Sequence, residues 1–280
     1  MDNRRMCPHC RAFITTKDRV CPYCEQEVGP RAVEMRTPGE VLGGLIPAAH
    51  FTTVMILLLN FGLYTATAVY SMGAGNQNAF WDPDLRTLLR FGAKYPPYIL
   101  FRGEWWRLVT AGFLHGGVLH ILFNSWAMYD LGATVEEFYG TSRFLVLYFL
   151  ATIGGYLAST YWSGSVSVGA SAGLFGLIGA MIALGVGSQT SMGAAIKAMY
   201  LRWAVYGLLW GLLPGFRVDN AAHIGGLATG FVCAYLSGTP RRQSSEQAWT
   251  AAAWVCGLIT AYCFFRMYLS FSSFARPIGS

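Results

Sequence analysis

The chain has 280 residues, of which 54% are hydrophobic and only 12% charged, at a mean hydropathy of +0.40. A soluble domain carries about 25% charged residues, so this chain cannot coat a globule with polar surface, and the same figures exclude disorder. The glycines have no three-residue period, which excludes a collagen-like fibre and leaves a polytopic membrane protein. The net charge of +6 and the pI near 9.0 fit positive loops facing the cytoplasm better than a nucleic-acid surface.

The chain opens with CPHC (7–10) and CPYC (21–24), a C-x2-C-x10-C-x2-C pattern. Each pair can place two thiolates on one tight knuckle. Cys7, Cys10, Cys21 and Cys24 together make a closed, four-coordinate zinc site. A pair of disulfides is the competing pattern, but cytoplasmic thiols stay reduced. Four filled ligand positions leave no open site, so the zinc is expected to be structural. A stretch of about 28 residues needs such a staple, because it cannot bury a core of its own. Residues 29–48, rich in Gly and Pro, read as a linker. No cleavable signal peptide is expected, because Cys7 falls where its apolar core would lie.

Seven apolar segments follow, each close to the roughly 20 residues a span requires. They run over 50–71, 112–134, 142–162, 168–187, 195–213, 220–238 and 248–271. The loop over 72–111 mixes Phe80, Trp81, Trp105 and Trp106 with Arg86, Arg90, Lys94, Arg102 and Arg107, which suits a segment at headgroup level. Arg4, Arg5, Arg11, Lys17, Arg19, Arg31 and Arg36 in the N-terminal tail, with Arg241 and Arg242 on the same side, put the N-terminus in the cytoplasm. Spans two, four and six then run from outside to inside. Cys233, Cys256 and Cys263 lie in apolar spans and read as small hydrophobes.

Polar groups inside spans are costly and mark functional sites. His120 and Asn124 are four apart on span two and share a helix face. Ser171 starts span four and His223 starts span six. All four therefore share a shallow depth on the outer side. Span four carries Ala172, Gly176 and Ala180; span six carries Ala222, Gly226, Gly230 and Ala234. These small-residue stripes let helix backbones approach closely. Taken singly, a membrane serine is a back-bonded hydroxyl and a histidine a satisfied core residue. Matched depth and matched stripes together favour a site. A serine beside a neutral imidazole is an activated nucleophile, and His120 and Asn124 could donate to an oxyanion. No carboxylate lies in span four or six, and Asp219 is too near His223 in sequence to reach behind its ring. A Ser–His dyad is the simpler expectation. GASAG (169–173) matches G-x-S-x-G, but it opens a membrane helix instead of following a strand, so an α/β-hydrolase is not indicated.

These residues resemble the rhomboid family of intramembrane serine proteases over about 100–238. EWWRLVT (104–110) resembles its tryptophan-arginine element and HGGVLHILFN (115–124) its H-x4-H-x3-N element. YDLGATVEE (129–137) resembles the stretch bearing its helix-two glutamate, GASAGLFG (169–176) its nucleophile motif and AAHIGGLATG (221–230) its histidine motif. The resemblance implies an all-α polytopic membrane protein with a six-helix core (49–240) and one additional C-terminal helix (241–280), preceded by the zinc-ribbon-like module (1–28). It implies Ser171 as nucleophile, His223 as base, and His120, Asn124 and the Ser171 backbone N–H as the oxyanion site. His115, Trp106, Arg107, Glu136, Phe175, Gly226 and Gly230 match structural positions. Span five and LPGFRVD (213–219) match a lateral gate and cap. No cofactor is implied for catalysis. Two departures are Ala172, where many members have glycine, and Phe175, where tyrosine is common.

The implied activity is cleavage of transmembrane protein substrates within the bilayer, near the outer face. A non-catalytic rhomboid-like pseudoprotease that binds membrane helices is the alternative, disfavoured because Ser171 and His223 are both present. A transporter is disfavoured because no inverted repeat is evident. The zinc module is expected to dock a cytoplasmic partner or regulate the protease. Its modest basic patch has little aromatic interleaving, which argues against nucleic acid and fits contact with an anionic leaflet at least as well. A cytoplasmic tail without a targeting sequence fits a prokaryotic plasma membrane.

Overall fold

A computed structural model of the chain describes residues 4–7, 9–10, 12–15, 18–28, 51–212, 218–239 and 243–274. The expected linker over 29–48, most of the expected cap over 213–219 and the boundary between the core and the C-terminal helix lie outside these residues.

The N-terminal module is a pair of knuckles. Strands β1 (Arg4–Met6) and β2 (Phe13–Thr15) pair antiparallel, with Met6 opposite Phe13. The Cys7 N–H closes the turn on the Ala12 carbonyl at 2.8 Å. The second knuckle repeats the device. Val20 pairs with Glu27, and the Cys21 N–H bonds the Gln26 carbonyl at 2.9 Å. Glu25 takes a positive φ of 56° to make that turn. Cys7, Ile14, Cys21 and Val28 are the buried centre, which is too few side chains to hold a fold by apolar burial alone.

The rest is helical: α1 (Phe51–Gly73), α2 (Leu85–Arg90), α3 (Pro96–Arg102), α4 (Arg107–Thr110), α5 (Val118–Trp162), α6 (Ser171–Gly187), α7 (Ser191–Trp210), α8 (Asn220–Ser237) and α9 (Gln243–Phe274). By length and composition, Phe51–Gly73, Val118–Trp162 and Ser245–Phe271 are apolar and long enough to cross a membrane, and Ser171–Gly187 is a shorter apolar helix. At about 1.5 Å per residue the 45 residues of α5 would reach about 68 Å, over twice a hydrocarbon core of about 30 Å. It is two crossings. Gly140, at φ 75° and ψ 161°, breaks the helix between the expected second and third spans. The chain is thus a polytopic helical membrane protein, with six core rods and a seventh at the C-terminus.

Two details differ from the hydropathy pattern. The second crossing starts as a helix at Val118, not at 112; residues 111–113 form a 3-10 turn and His115 precedes the helix. The loop over 72–111 is also not all at the surface. Phe80, Trp81 and Trp105 are exposed, whereas Trp106, Lys94 and Arg107 are buried. Short helices α2, α3 and α4 fold the loop back on itself and enclose these side chains.

Helix α6 is the centre. Thirteen of its 17 residues are buried, and a helix apolar on all sides has to be surrounded by protein or lipid. It packs on α8 through backbone. A methyl added at Gly226 would collide with the Ala172 carbonyl, and one at Gly230 with the Gly176 carbonyl. The second half of α5 joins the same seam, where a methyl at Gly155 would stand 2.6 Å from the Ala222 carbonyl. In lipid, such close van der Waals approach drives helix association. Elsewhere, two buried charged side chains tie helices together. Glu136 accepts from Thr52 Oγ1 at 2.8 Å and Thr141 Oγ1 at 2.7 Å, tying α1 across the Gly140 break. Arg143 donates to the Gly238 carbonyl at 3.0 Å and to Glu246 at 2.7 Å, fastening α9 to the core.

Gly230→Val forces α6 and α8 apart and is expected to lower stability by about 1–3 kcal/mol or more, as overpacking does. Gly62→Ala, at an α1 position with nothing within 4 Å, is expected to be neutral or slightly stabilising. Thermal unfolding in detergent compares the two.

Candidate active site

Helices α5, α6 and α8 all start at the same end of the bundle, beneath the folded loop. This brings the sequence-selected residues together there. Ser171 is the first residue of α6 and is half-buried. His223 lies in the first turn of α8, is buried, and stacks on Phe175 with ring centroids 4.0 Å apart and planes 13° from parallel. Phe175 is one turn along α6 from Ser171, so the stacking holds the imidazole against the helix that begins with the serine.

Two groups meet at Gly169. A methyl built there would lie 2.7 Å from His120 Nε2 and 3.5 Å from Ser171 Oγ. Gly169 has φ +133°, a conformation that side-chain-bearing residues rarely adopt, and a side chain would fill the space both atoms face. The His120 tautomer follows from its other nitrogen. His120 Nδ1 accepts the Gly116 backbone N–H at 3.4 Å, so the neutral ring carries its proton on Nε2. That N–H is the one near Ser171. Asn124 is buried one turn further along α5 and donates one amide hydrogen to the His120 carbonyl at 2.9 Å. Its second hydrogen is available. His115 is fully buried and meets the His120 ring edge-on at 5.1 Å.

Among the described residues, Asp219 makes no hydrogen bond to the His223 ring. Its Oδ1 caps α8 by accepting the Ala222 N–H at 3.1 Å, and its Oδ2 accepts from Ser159 Oγ. His223 Nδ1 is buried with no hydrogen-bond partner among the described residues.

Trp106 and Arg107 stand away from this centre. Arg107 donates to Glu104 at 2.6 Å, to the Leu89 carbonyl at 2.6 Å and to the Ala93 carbonyl at 3.0 Å. Its guanidinium lies 4.5 Å from the Trp106 ring centroid. Glu136 sits at the far end of α5's first half, and Gly226 and Gly230 are seam positions on α8.

Several residues here were not singled out by the sequence pattern. Tyr156 is buried on α5 and donates to the Gly169 carbonyl at 2.7 Å, while the Gly169 N–H bonds the Ala111 carbonyl at 2.9 Å. These bonds fix the turn before Ser171. Lys94 is fully buried and donates to the carbonyls of Ser163 at 2.8 Å and Ser165 at 3.1 Å. Burial pushes its ammonium down to about 8, and Asp219 opposes that shift. A lone tyrosine in an apolar run and a lysine among four loop arginines carry no sequence signal that separates them from packing or headgroup residues.

The four N-terminal cysteines form a separate cluster. Their sulfurs lie within 4.8 Å of one another, with Cys7–Cys24 at 3.7 Å and Cys10–Cys21 at 3.6 Å. A tetrahedron with metal–sulfur bonds of about 2.3 Å has edges of about 3.8 Å. The His9 backbone N–H also points at Cys7 Sγ, at 3.4 Å. The donor set and spacing can hold one metal ion.

A helical membrane bundle with a half-buried serine and buried imidazoles at one end is the class of protein this geometry defines. Comparison with known proteins specifies the family. A family model described as a rhomboid domain matches residues 102–240. The rhomboid protease GluP of Bacillus subtilis (strain 168) is 34% identical over 182 residues, covering 65% of this chain and 36% of that protein. The mitochondrial RHOMBOID-like protein 6 of Arabidopsis thaliana is 36% identical over 163 residues, 57% of this chain and 52% of that protein. Rhomboid-like protease 1 of Toxoplasma gondii is 37% identical over 154 residues, 53% of this chain and 52% of that protein. The chain therefore spans about a third to a half of the length of these relatives. It belongs to the rhomboid family of integral membrane proteins.

Proposed function

We propose that the chain is an intramembrane serine endopeptidase acting through a Ser171–His223 dyad. The observation that carries this reading is that Ser171 Oγ and His120 Nε2 both border the space at Gly169, while Phe175 stacks on the His223 ring and holds it against α6. Nucleophile, base and oxyanion donor need this adjacency.

In this mechanism His223 takes the Ser171 hydroxyl proton as Oγ attacks the scissile carbonyl. The tetrahedral oxyanion receives hydrogen bonds from His120 Nε2, from the free amide hydrogen of Asn124 and from the Ser171 backbone N–H. Collapse breaks the C–N bond, and the leaving amine takes its proton from His223. Water, deprotonated by the same imidazole, then releases the acyl group as a carboxylic acid and restores Ser171. The 17 residues of α6 reach about 26 Å, short of a hydrocarbon core of about 30 Å. Such a helix leaves a recess for water at one end. A transmembrane substrate has to unwind locally there, because an intact helix occupies its own carbonyls. The positive N-terminal tail supports a cytoplasmic N-terminus and hence a site near the outer face, as in a prokaryotic plasma membrane.

The four cysteines fit a structural zinc, held as thiolates by Cys7, Cys10, Cys21 and Cys24. The metal would close the two knuckles and supply no step of the hydrolysis.

The function is tested by cleavage of a single-span reporter in liposomes. Wild-type activity is expected to fall at least about a thousandfold in both Ser171→Ala and His223→Ala. His120→Ala is expected to lose about a hundredfold, the loss usual for one oxyanion donor. Cleavage that survives Ser171→Ala contradicts the assignment. For the metal, elemental analysis of the purified chain is expected to give one zinc per molecule, falling to none in a Cys10→Ser, Cys21→Ser double variant. Reporter cleavage by the core is expected to persist in that variant.

A further inference from the structure

A fully buried lysine requires a reason, because an ammonium is costly to remove from water unless it is well bonded. Lys94 has no carboxylate within ion-pair distance among the described residues. Its bonds go to one short segment instead. The ammonium donates to the Ser163 and Ser165 carbonyls at 2.8 and 3.1 Å. Its backbone pairs with Ser167 in both directions, each bond 3.0 Å long. Ser163 is also the C-cap of α5, so a positive charge there meets the negative end of a helix dipole.

The segment so held runs from the end of α5 to the start of α6, and Ser171 follows Ser167 by four residues. Its far end is tied separately, by Tyr156 and Ala111 to Gly169. Lys94 secures the near end. The lysine is itself anchored, since Arg107 bonds the Ala93 carbonyl immediately before it. The Asp219 carboxylate, which caps α8, accepts from Ser159, four residues before Ser163 on the same helix end. One side chain, that of Lys94, therefore links the folded loop to the serine-bearing segment.

We propose that Lys94 is a positioning residue that sets the 163–170 segment, and through it the placement of Ser171 relative to His223. This rests on the dyad reading. Lys94 touches none of the reacting atoms. It acts on turnover, not on substrate affinity, because displacement of a nucleophile by about 1 Å can cost about a hundredfold in rate.

The test compares full-length wild type, Lys94→Met and Lys94→Arg by reporter kinetics, and by hydrogen exchange in the same preparations. Lys94→Met keeps the chain length and removes the charge and donors. It is expected to lower kcat at least about tenfold with KM changed less than about threefold. Amide exchange is expected to quicken within 163–170 while the interior of α6 stays protected. Lys94→Arg, which keeps charge and donors, is expected to recover much of kcat. Wild-type kcat in Lys94→Met overturns the proposal, as does a loss matched by faster exchange throughout the bundle, which would mean general destabilisation. The exchange comparison is repeated in a Ser171→Ala background. Cleavage that survives Ser171→Ala refutes the dyad, whereas unchanged exchange at 163–170 in the Lys94→Met chain refutes the role of Lys94.

Discussion

Backbone contact between α6 and α8 is the constraint on which the rest of the structure depends. Between Ala172 and Gly226, and again between Gly176 and Gly230, there is no space for one additional methyl group. Lipid offers no hydrophobic force to press helices together, so close packing of this kind has to hold them. The same contact sets the spacing of the candidate site. Ser171 precedes Ala172 by one residue, and His223 lies one turn before Gly226 on the partner helix. The separation of the helices is therefore the separation available to serine and imidazole. Phe175 completes the seam by filling the space over the His223 ring.

Around that seam the protein keeps its polar side chains bonded in small sets. Glu136 joins α1 to the two halves of α5, Arg143 joins α9 to the core, and Arg107 and Lys94 hold the folded loop. An unpaired polar group in hydrocarbon costs several kcal/mol, so these sets act as fixed points. The serine and imidazoles lie together at one end of the bundle. Ser171 is half-buried at the start of a short helix, and its Oγ and His120 Nε2 both border the space at Gly169.

Much of this was legible in the sequence. Seven apolar runs gave the rods, and their parity put His120, Asn124, Ser171 and His223 at one end. The spacing of Ala172, Gly176, Gly226 and Gly230 gave the seam. Hydropathy cannot register backbone path, so the non-helical approach to Val118, which takes His115 off the helix, was read as part of a span. It is equally blind to the fate of a charged side chain in an amphipathic loop. Lys94 and Arg107 are fully buried, yet by composition they match Arg86 and Arg102 as headgroup residues. Their burial depends on bonds between distant stretches of chain, Arg107 to the Leu89 and Ala93 carbonyls and Lys94 to those of Ser163 and Ser165, which no local pattern encodes. Asp219, four residues before His223, bonds Ala222 and Ser159, a use of its carboxylate that its position in the sequence does not reveal.

In the proposed function, helix separation at the α6–α8 seam sets the reactivity of Ser171. The most direct measurement is the rate of fluorophosphonate addition, mapped by mass spectrometry, in wild type and in Gly226→Ala, a variant that retains both Ser171 and His223. A single adduct on Ser171 is expected in the wild type, formed at least about tenfold more slowly in Gly226→Ala. Addition at an undiminished rate in the variant, or an adduct on another serine, would contradict this reading.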